Sequence, residues 1–198
     1  MYHSNYVECP SCHEVFFDES RKMSAVDEPA PCCGANGEVR GVWPGFSADK
    51  FLEIVHDQDL SSAQGQRIAI VFLHATLELL IEQSLWELLN NLHQQSNIAS
   101  EALLDCHQGW ERRVELFKKL RGRSLHQILS DNGHDTFYQN SIILKKARNQ
   151  IVHGSYYHKV SEDNKLIEQM RNNCIRAFAC IHNDLHRELR DKATWNNE

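Results

Sequence analysis

The chain contains 198 residues, of which 41% are hydrophobic and 24% are charged, and its formal net charge is −6. This composition is typical of a soluble globular protein, and the length allows one domain with a small appendage. A net negative charge argues against a uniformly basic protein that coats nucleic acid. The longest apolar run, residues 68–81, is interrupted by His74 and Glu78, and the N-terminus lacks the basic and apolar regions of a signal peptide. We therefore expect a cytoplasmic protein with no membrane partner.

The charges are unevenly distributed along the chain. Residues 1–60 contain 11 acidic and 4 basic residues, a net of −7, whereas residues 112–153 contain 9 basic and 3 acidic residues, a net of +6. A basic segment of this kind suits the binding of a phosphodiester backbone. The alternative is a solvated amphipathic helix face, which is the commoner meaning of a charge run.

Four of the seven cysteines lie close to the N-terminus. Cys9 and Cys12 form a Cys-Pro-Ser-Cys segment, and Cys32 and Cys33 follow as an adjacent pair. In a protein expected in the cytosol, this pattern favours a metal site over disulfide bonds. Four thiolates would close a tetrahedral, structural zinc site, and nothing in the pattern suggests an open position for catalysis.

The second pair of cysteines departs from the usual spacing, in which two residues separate the ligands. His13 or His3 is therefore an alternative ligand in place of one cysteine. The segment is too short to bury a core of its own, so a metal would supply its folding energy. It resembles a zinc ribbon, and the glycines and proline of residues 34–47 predict its end and a short linker. We expect a ribbon-like domain over residues 1–46.

Residues 47–198 are predicted to be helical throughout, because apolar residues recur at helical spacing. We expect the first helix to begin with Ser47 as its N-cap, and one long helix, apolar nearly all round, over residues 62–92. The later predicted helices cover residues 100–106, 110–120, 125–129, 136–153 and 161–192. Short connections favour antiparallel neighbours, so the predicted fold class is all-α, an up-and-down helical bundle with a small N-terminal zinc ribbon.

The most informative stretch is residues 145–154, Lys-Lys-Ala-Arg-Asn-Gln-Ile-Val-His-Gly. Arg148 is a permanent cation suited to a phosphate, and His153 can transfer protons near neutral pH. The two are five residues apart, so on a straight helix they would lie about 140° apart around the axis. Gly154 predicts a helix end here, which would let the imidazole turn, or a second chain would supply the partner group. The alternative is an exposed arginine and histidine with no shared role.

The pattern Arg148-Asn149-x-x-x-His153-Gly154, late in a helical chain, resembles the signature of the HEPN superfamily (higher eukaryote and prokaryote nucleotide-binding domain). Many proteins with this signature are metal-independent endoribonucleases whose active site is assembled across a homodimer. The resemblance covers residues 47–198. It implies an RNA substrate, a homodimer and no cofactor for catalysis beyond the structural zinc of the ribbon.

The resemblance also implies roles for individual residues. His153 would be the general base for attack of the RNA 2′-hydroxyl, and His153 of the partner subunit the general acid. Arg148 would stabilise charge on the non-bridging oxygens, and Asn149 would orient the phosphate or the imidazole. The products would be a 2′,3′-cyclic phosphate and a 5′-hydroxyl. In support, Lys145 and Lys146 would attract the substrate, and Glu78 would orient the guanidinium of Arg148. The favoured interpretation of Glu78 is instead a hydrogen-bonded pair with His74, one helical turn away.

Proteins that resemble this chain occur in toxin–antitoxin modules, phage defence and RNA processing. In some toxins a partner modifies a tyrosine two residues after the histidine, whereas Tyr156 here lies three after His153. Two alternatives to cleavage stay open: a non-catalytic module that binds nucleic acid or nucleotides, and a toxin scaffold held by an antitoxin partner. On the last helix, His182 and His186 lie one turn apart as a candidate metal pair, although a solvated face is the favoured interpretation.

Overall fold

The computed structural model describes residues 5–19, 29–35, 41–155 and 160–195. His3 and Tyr156 lie outside the described residues. The described chain is mostly helical, which confirms the predicted fold class at that level. The strands are β1 (Tyr6–Glu8), β2 (Val15–Phe17) and β3 (Gly41–Trp43). The helices are α1 (Phe46–His56), α2 (Ala63–Glu87), α3 (Asn97–Cys106), α4 (Trp110–Arg121), α5 (Leu125–Asp131), α6 (Asp135–Val152) and α7 (Val160–Trp195).

The three strands form one small antiparallel sheet in which β1 lies between β2 and β3. Tyr6 of β1 is opposite Phe17 of β2 on one side and Trp43 of β3 on the other. The turn between β1 and β2 carries the first two cysteines, and the His13 amide donates to the Cys9 carbonyl at 2.8 Å within it. We call residues 5–19 the cysteine hairpin.

Helix α2 is the centre of the fold, and it contacts α1, α4, α6 and α7. Its buried side chains cover a little more than half of its circumference, and most of the remaining side chains are half-buried, as expected of a helix enclosed on most sides. Its start follows from local chemistry, because the Ser62 hydroxyl accepts the Gly65 amide at 3.0 Å as an N-cap. Gly65 is required there, since an added Cβ would lie 2.1 Å from the Asp59 carbonyl oxygen.

Two predictions about these helices need correction. Helix α1 begins at Phe46 with the extended residue Gly45 as its N-cap, so Ser47 lies inside the first turn and is not the cap. The stretch Ala63–Asn91, 29 residues, is long and apolar enough by length and composition to cross a membrane, contrary to the expectation that no run reaches that length. In the most apolar 18-residue segment of this stretch, 56% is buried inside the protein. A helix enclosed in a protein core needs the same apolar composition as a helix that crosses a membrane. Location in the cytoplasm stays a prediction.

Side chains of helix α7 hold the cysteine hairpin in place through hydrogen bonds to its backbone. The Asn183 side chain accepts the Val15 amide at 2.7 Å and donates to the Val15 carbonyl at 2.8 Å. His182, next to it on α7, contacts the His13 carbonyl at 2.8 Å through Nε2. Because one amide side chain satisfies both backbone groups of Val15, helix α7 fixes the position of strand β2.

We expect Asn183→Ala to weaken this docking by about 1–3 kcal/mol, because two hydrogen bonds to the backbone are lost and their partners are left unsatisfied. Hydrogen exchange at the amides of the cysteine hairpin should accelerate, with the Val15 amide affected most. The matched control is Asn172→Ala, at an exposed position of the same helix, which should leave these rates unchanged. Equal exchange in both variants would contradict the proposed role of Asn183.

Candidate functional site

A cavity of about 230 Å³ lies where α2, α4 and α6 meet. Helix α2 contributes His74 and Glu78 to its wall, and helix α6 contributes Lys145, Arg148 and Asn149. The rest of the wall is the N-terminal end of α4 and the residues before it, Gln108, Gly109, Trp110, Glu111 and Arg112. The cavity thus joins part of the predicted motif to two residues of the central helix, and we call it the Arg148 cavity.

His74 is the most unusual group in this cavity. It is 3% exposed, and neither ring nitrogen has a hydrogen-bond partner in the described chain. Its Nδ1 is 3.8 Å from Glu78 Oε2, which is too far for a hydrogen bond. Burial lowers the pKa of His74, with Arg148 and Lys145 adding to the effect and Glu78 opposing it. A neutral imidazole therefore has one unused donor and one unused acceptor at the cavity wall, although both nitrogens are almost completely covered by the protein.

Glu78 caps helix α4. Its Oε1 accepts the Trp110 amide at 3.2 Å, where the N-cap residue Gly109 has no side chain to do so. A carboxylate at this position also suits the positive end of the helix dipole. The structure places Glu78 and Arg148 on the wall of one cavity, but the Glu78 hydrogen bond goes to α4 and not to the guanidinium. The favoured interpretation, a hydrogen-bonded pair of His74 and Glu78, is wrong, because the two side chains are 3.8 Å apart.

Arg148 is half-buried, and its Nη1 donates to Asn149 Oδ1 at 3.1 Å. Within the described chain no acidic side chain lies in ion-pair distance of Arg148. Lys145 differs, since it forms an ion pair with the exposed Glu111, and the hydrogen bond from Lys145 lowers the pKa of Glu111. Lys146 is exposed in an adjacent groove and does not line the Arg148 cavity. Arg148 and the exposed Arg112 are therefore the cations on this cavity wall that have no ion-pair partner within the described chain.

His153 lies directly after the last residue of α6, so the predicted helix end is confirmed. Its amide donates to the Asn149 carbonyl at 3.0 Å, and Gly154 follows in the left-handed conformation with a φ of 71°. The Ser155 amide then donates to the Gln150 carbonyl at 2.9 Å, which closes the helix end in the manner that glycine permits. His153 is exposed and does not line the Arg148 cavity of its own chain.

The four N-terminal cysteines come together as the sequence predicts. Their sulfur atoms all lie within 4.8 Å of one another, with separations of 3.7 Å for Cys9 and Cys33 and 3.4 Å for Cys12 and Cys32. Tetrahedral zinc with bonds of about 2.3 Å to sulfur needs sulfur separations of about 3.8 Å. The alternative ligand His13 lies elsewhere, with its Nδ1 2.8 Å from Glu8 Oε1. The four thiols can therefore hold a metal ion such as zinc.

Comparisons of the chain with protein-family models, with curated proteins and with solved structures give no match. The HEPN resemblance and the activity that it implies therefore stay predictions. They depend on the motif residues and on the cavity that contains two of them.

Sequence reasoning missed the role of His74 and of the α4 N-terminus in this site. The spacing of His74 and Glu78, one helical turn apart, was a signal that the two share a helix face. It did not reveal which face points to α6. Gly109 before Trp110 was a weak signal that helix α4 needs a cap from elsewhere, because glycine supplies none.

Removal of one thiol should unfold the cysteine hairpin while sparing the helices. We expect Cys12→Ser to lose most of its bound zinc, since a hydroxyl is a poor replacement for a thiolate ligand. Helical circular dichroism should persist, because the helices have a core of their own. The matched control is Cys106→Ser, at an exposed thiol of α3. Zinc content that is equal in Cys12→Ser and in wild type would contradict the assignment.

His74 should also make stability depend on pH. Its folded pKa lies below the ordinary value of 6.5, so its contribution is present above pH 6.5 and is lost as the pH falls and the unfolded chain takes up a proton. The loss for one proton is at most about 1.4 kcal/mol per pH unit. Urea midpoints between pH 7 and 5 should fall less steeply for His74→Phe than for wild type. The control is His126→Phe at a partly exposed site, and identical slopes for wild type and His74→Phe would refute the expectation.

Proposed function

We propose that this protein is a metal-independent endoribonuclease of the HEPN type and that the Arg148 cavity binds a phosphate of RNA. One observation carries the proposal: within the described residues, a half-buried arginine without an acidic partner shares a cavity with a buried histidine whose ring nitrogens both lack hydrogen bonds. Such groups are costly to leave unpaired, so they point to a polar or anionic ligand. The basic segment 112–153 contributes Arg112, Lys145 and Arg148 to the cavity wall, and such cations suit a polyanion.

In this proposal Arg148 binds the scissile phosphate and stabilises the charge that develops on its non-bridging oxygens. Asn149 holds the guanidinium in place through the hydrogen bond between their side chains. A small shift of the cavity wall would expose a ring nitrogen of the neutral His74, which then accepts or donates one hydrogen bond at the same phosphate or at a neighbouring hydroxyl. Lys145 and Lys146 contribute attraction at longer range.

Proton transfer falls to His153, which is exposed at the end of α6. It acts as the general base on the 2′-hydroxyl, and His153 of the partner subunit protonates the leaving 5′-oxygen. A homodimer is part of the proposal, because His153 stands outside the Arg148 cavity of its own chain and one histidine supplies one proton shuttle. The expected products are a 2′,3′-cyclic phosphate and a 5′-hydroxyl.

The cysteine hairpin with its small sheet fits a zinc ribbon, in which the metal is structural and holds the hairpin together. A ribbon beside a nuclease domain gives the protein a second surface for RNA or for a protein partner. A role as a toxin or a phage-defence effector, with an antitoxin or another defence protein as its partner, follows from the resemblance alone.

A second function is favoured by one specific observation, the position of His153 outside the cavity. If no second subunit completes the site, Arg148, Asn149 and His74 would bind a nucleotide or a nucleic acid without cutting it. The measured difference would be a salt-dependent affinity for RNA without formation of products.

The deciding assay is incubation of the purified protein with total RNA and transfer RNA in mild EDTA, with zinc content measured alongside. Arg148→Ala should slow cleavage by about 10²–10³-fold and His153→Ala by about 10²–10⁴-fold. Arg176→Ala, at an exposed arginine of α7 outside the cavity, is the matched control and should cleave normally.

Full cleavage by His153→Ala would refute the proposed mechanism. Full activity in a protein that sediments strictly as a monomer would refute the shared site. RNA binding that Arg148→Ala abolishes, without products from any variant, would establish the binding module instead.

A further inference from the structure

Glu87, His182 and His186 form a second polar cluster, far in sequence from the cysteines. Glu87 ends helix α2, and the two histidines lie one turn apart on α7. His182 is 2% exposed and His186 is 7% exposed, so the sequence-based interpretation of this pair as a solvated face is wrong. One potential ligand atom from each of the three residues lies within 4.8 Å of the other two. Three such groups are rarely buried together unless something neutralises them.

The hydrogen bonds of His182 require a positive charge in this cluster. Its Nε2 is 2.8 Å from the His13 carbonyl oxygen, and its Nδ1 is 2.8 Å from Glu87 Oε2. A carbonyl and a carboxylate only accept hydrogen bonds, whereas a neutral imidazole carries a single N–H. If the N–H is on Nε2 and is donated to the carbonyl, Nδ1 carries only a lone pair. This lone pair then faces a lone pair of the Glu87 carboxylate. A positive charge has to lie between them, either as a second proton or as a metal ion.

The arrangement of His182 is the one that metal-binding histidines adopt. Such histidines donate the ring N–H that faces away from the metal to a carbonyl or carboxylate, which orients the ring and directs the other nitrogen to the ion. The His13 carbonyl fills this role, and the Trp43 ring packs edge-on against the imidazole with ring centres 5.7 Å apart. The ring is therefore held on two sides with Nδ1 directed towards Glu87.

His186 supplies the third ligand atom. Its Nε2 is 3.7 Å from Glu87 Oε2, the same oxygen that contacts His182. Tetrahedral zinc with bonds of about 2.0–2.1 Å to nitrogen and oxygen needs ligand atoms about 3.3 Å apart. The observed separations of 2.8 and 3.7 Å fall on either side of that value.

We propose that Glu87, His182 and His186 bind a transition-metal ion such as Zn²⁺ at a site separate from the four thiols. Two imidazoles and one carboxylate are a common zinc donor set, and water would complete the coordination. The ion joins the end of α2 to α7. Through His182 and the His13 carbonyl it also secures the cysteine hairpin against the helices. This site stands independently of the proposed nuclease activity.

The test is the metal content of the full-length protein after dialysis against zinc and removal of loose metal. The four thiols serve as the internal reference. We expect two zinc ions per chain in wild type, one in His186→Ala and two in His126→Ala, at a partly exposed histidine of α5. Replacement by Co²⁺ should give thiolate absorption that is equal in all three proteins, with the nitrogen and oxygen contribution lost only in His186→Ala.

Circular dichroism will show whether His186→Ala folds. If it does not, Glu87→Gln, which conserves the side-chain volume, provides a second variant that decides the question. It too should retain one zinc ion, because an amide is a poor ligand. One zinc ion per chain in wild type would overturn the proposal and leave a proton between Glu87 and His182. Two ions in both His186→Ala and Glu87→Gln would also overturn it, because the second ion would then be bound elsewhere.

Discussion

The enclosure of helix α2 is the constraint on which the rest of the structure depends. This helix contacts α1, α3, α4, α6 and α7, so the polar side chains on its covered faces must find partners inside the protein. Glu78 finds the N-terminus of α4, and Glu87 finds the histidines of α7. His74 finds no partner in the described chain, and it faces the Arg148 cavity. Both candidate sites therefore begin at polar residues of the central helix.

The cysteine hairpin is too small to fold on apolar burial alone, and two different constraints replace the missing core. The four thiols lie close enough to share one metal ion. Asn183 and His182 bind the hairpin backbone from the side of α7. Because these contacts are made by α7, which does not line the Arg148 cavity, loss of a metal from the thiols should alter docking before it alters the cavity.

The end of α6 separates Arg148 from His153. Arg148 is still within the helix and faces α2 and α4, whereas His153 comes after the last helical turn and faces solvent. A phosphate in the cavity would meet Arg148, Asn149 and His74 of one chain, and the proton-transfer group would have to approach from outside. An active site shared between two subunits is the simplest arrangement that reconciles this geometry with the proposed RNA cleavage.

The sequence by itself determined the local features of this protein. Helical periodicity located the helices, Gly154 located the end of α6, and the cysteine spacing located the cluster of thiols that can hold a metal ion, because each signal is local in the sequence. The N-cap of α1 was missed, since a glycine in an extended conformation leaves no side-chain signal.

Only the tertiary structure decided which polar residues meet. His74 lies beside Arg148, and Glu87 beside His182, because particular faces of α2 pack against α6 and α7. Periodicity shows that a face is buried, but it does not show which helix covers it. That choice depends on the shapes of all the packed side chains together.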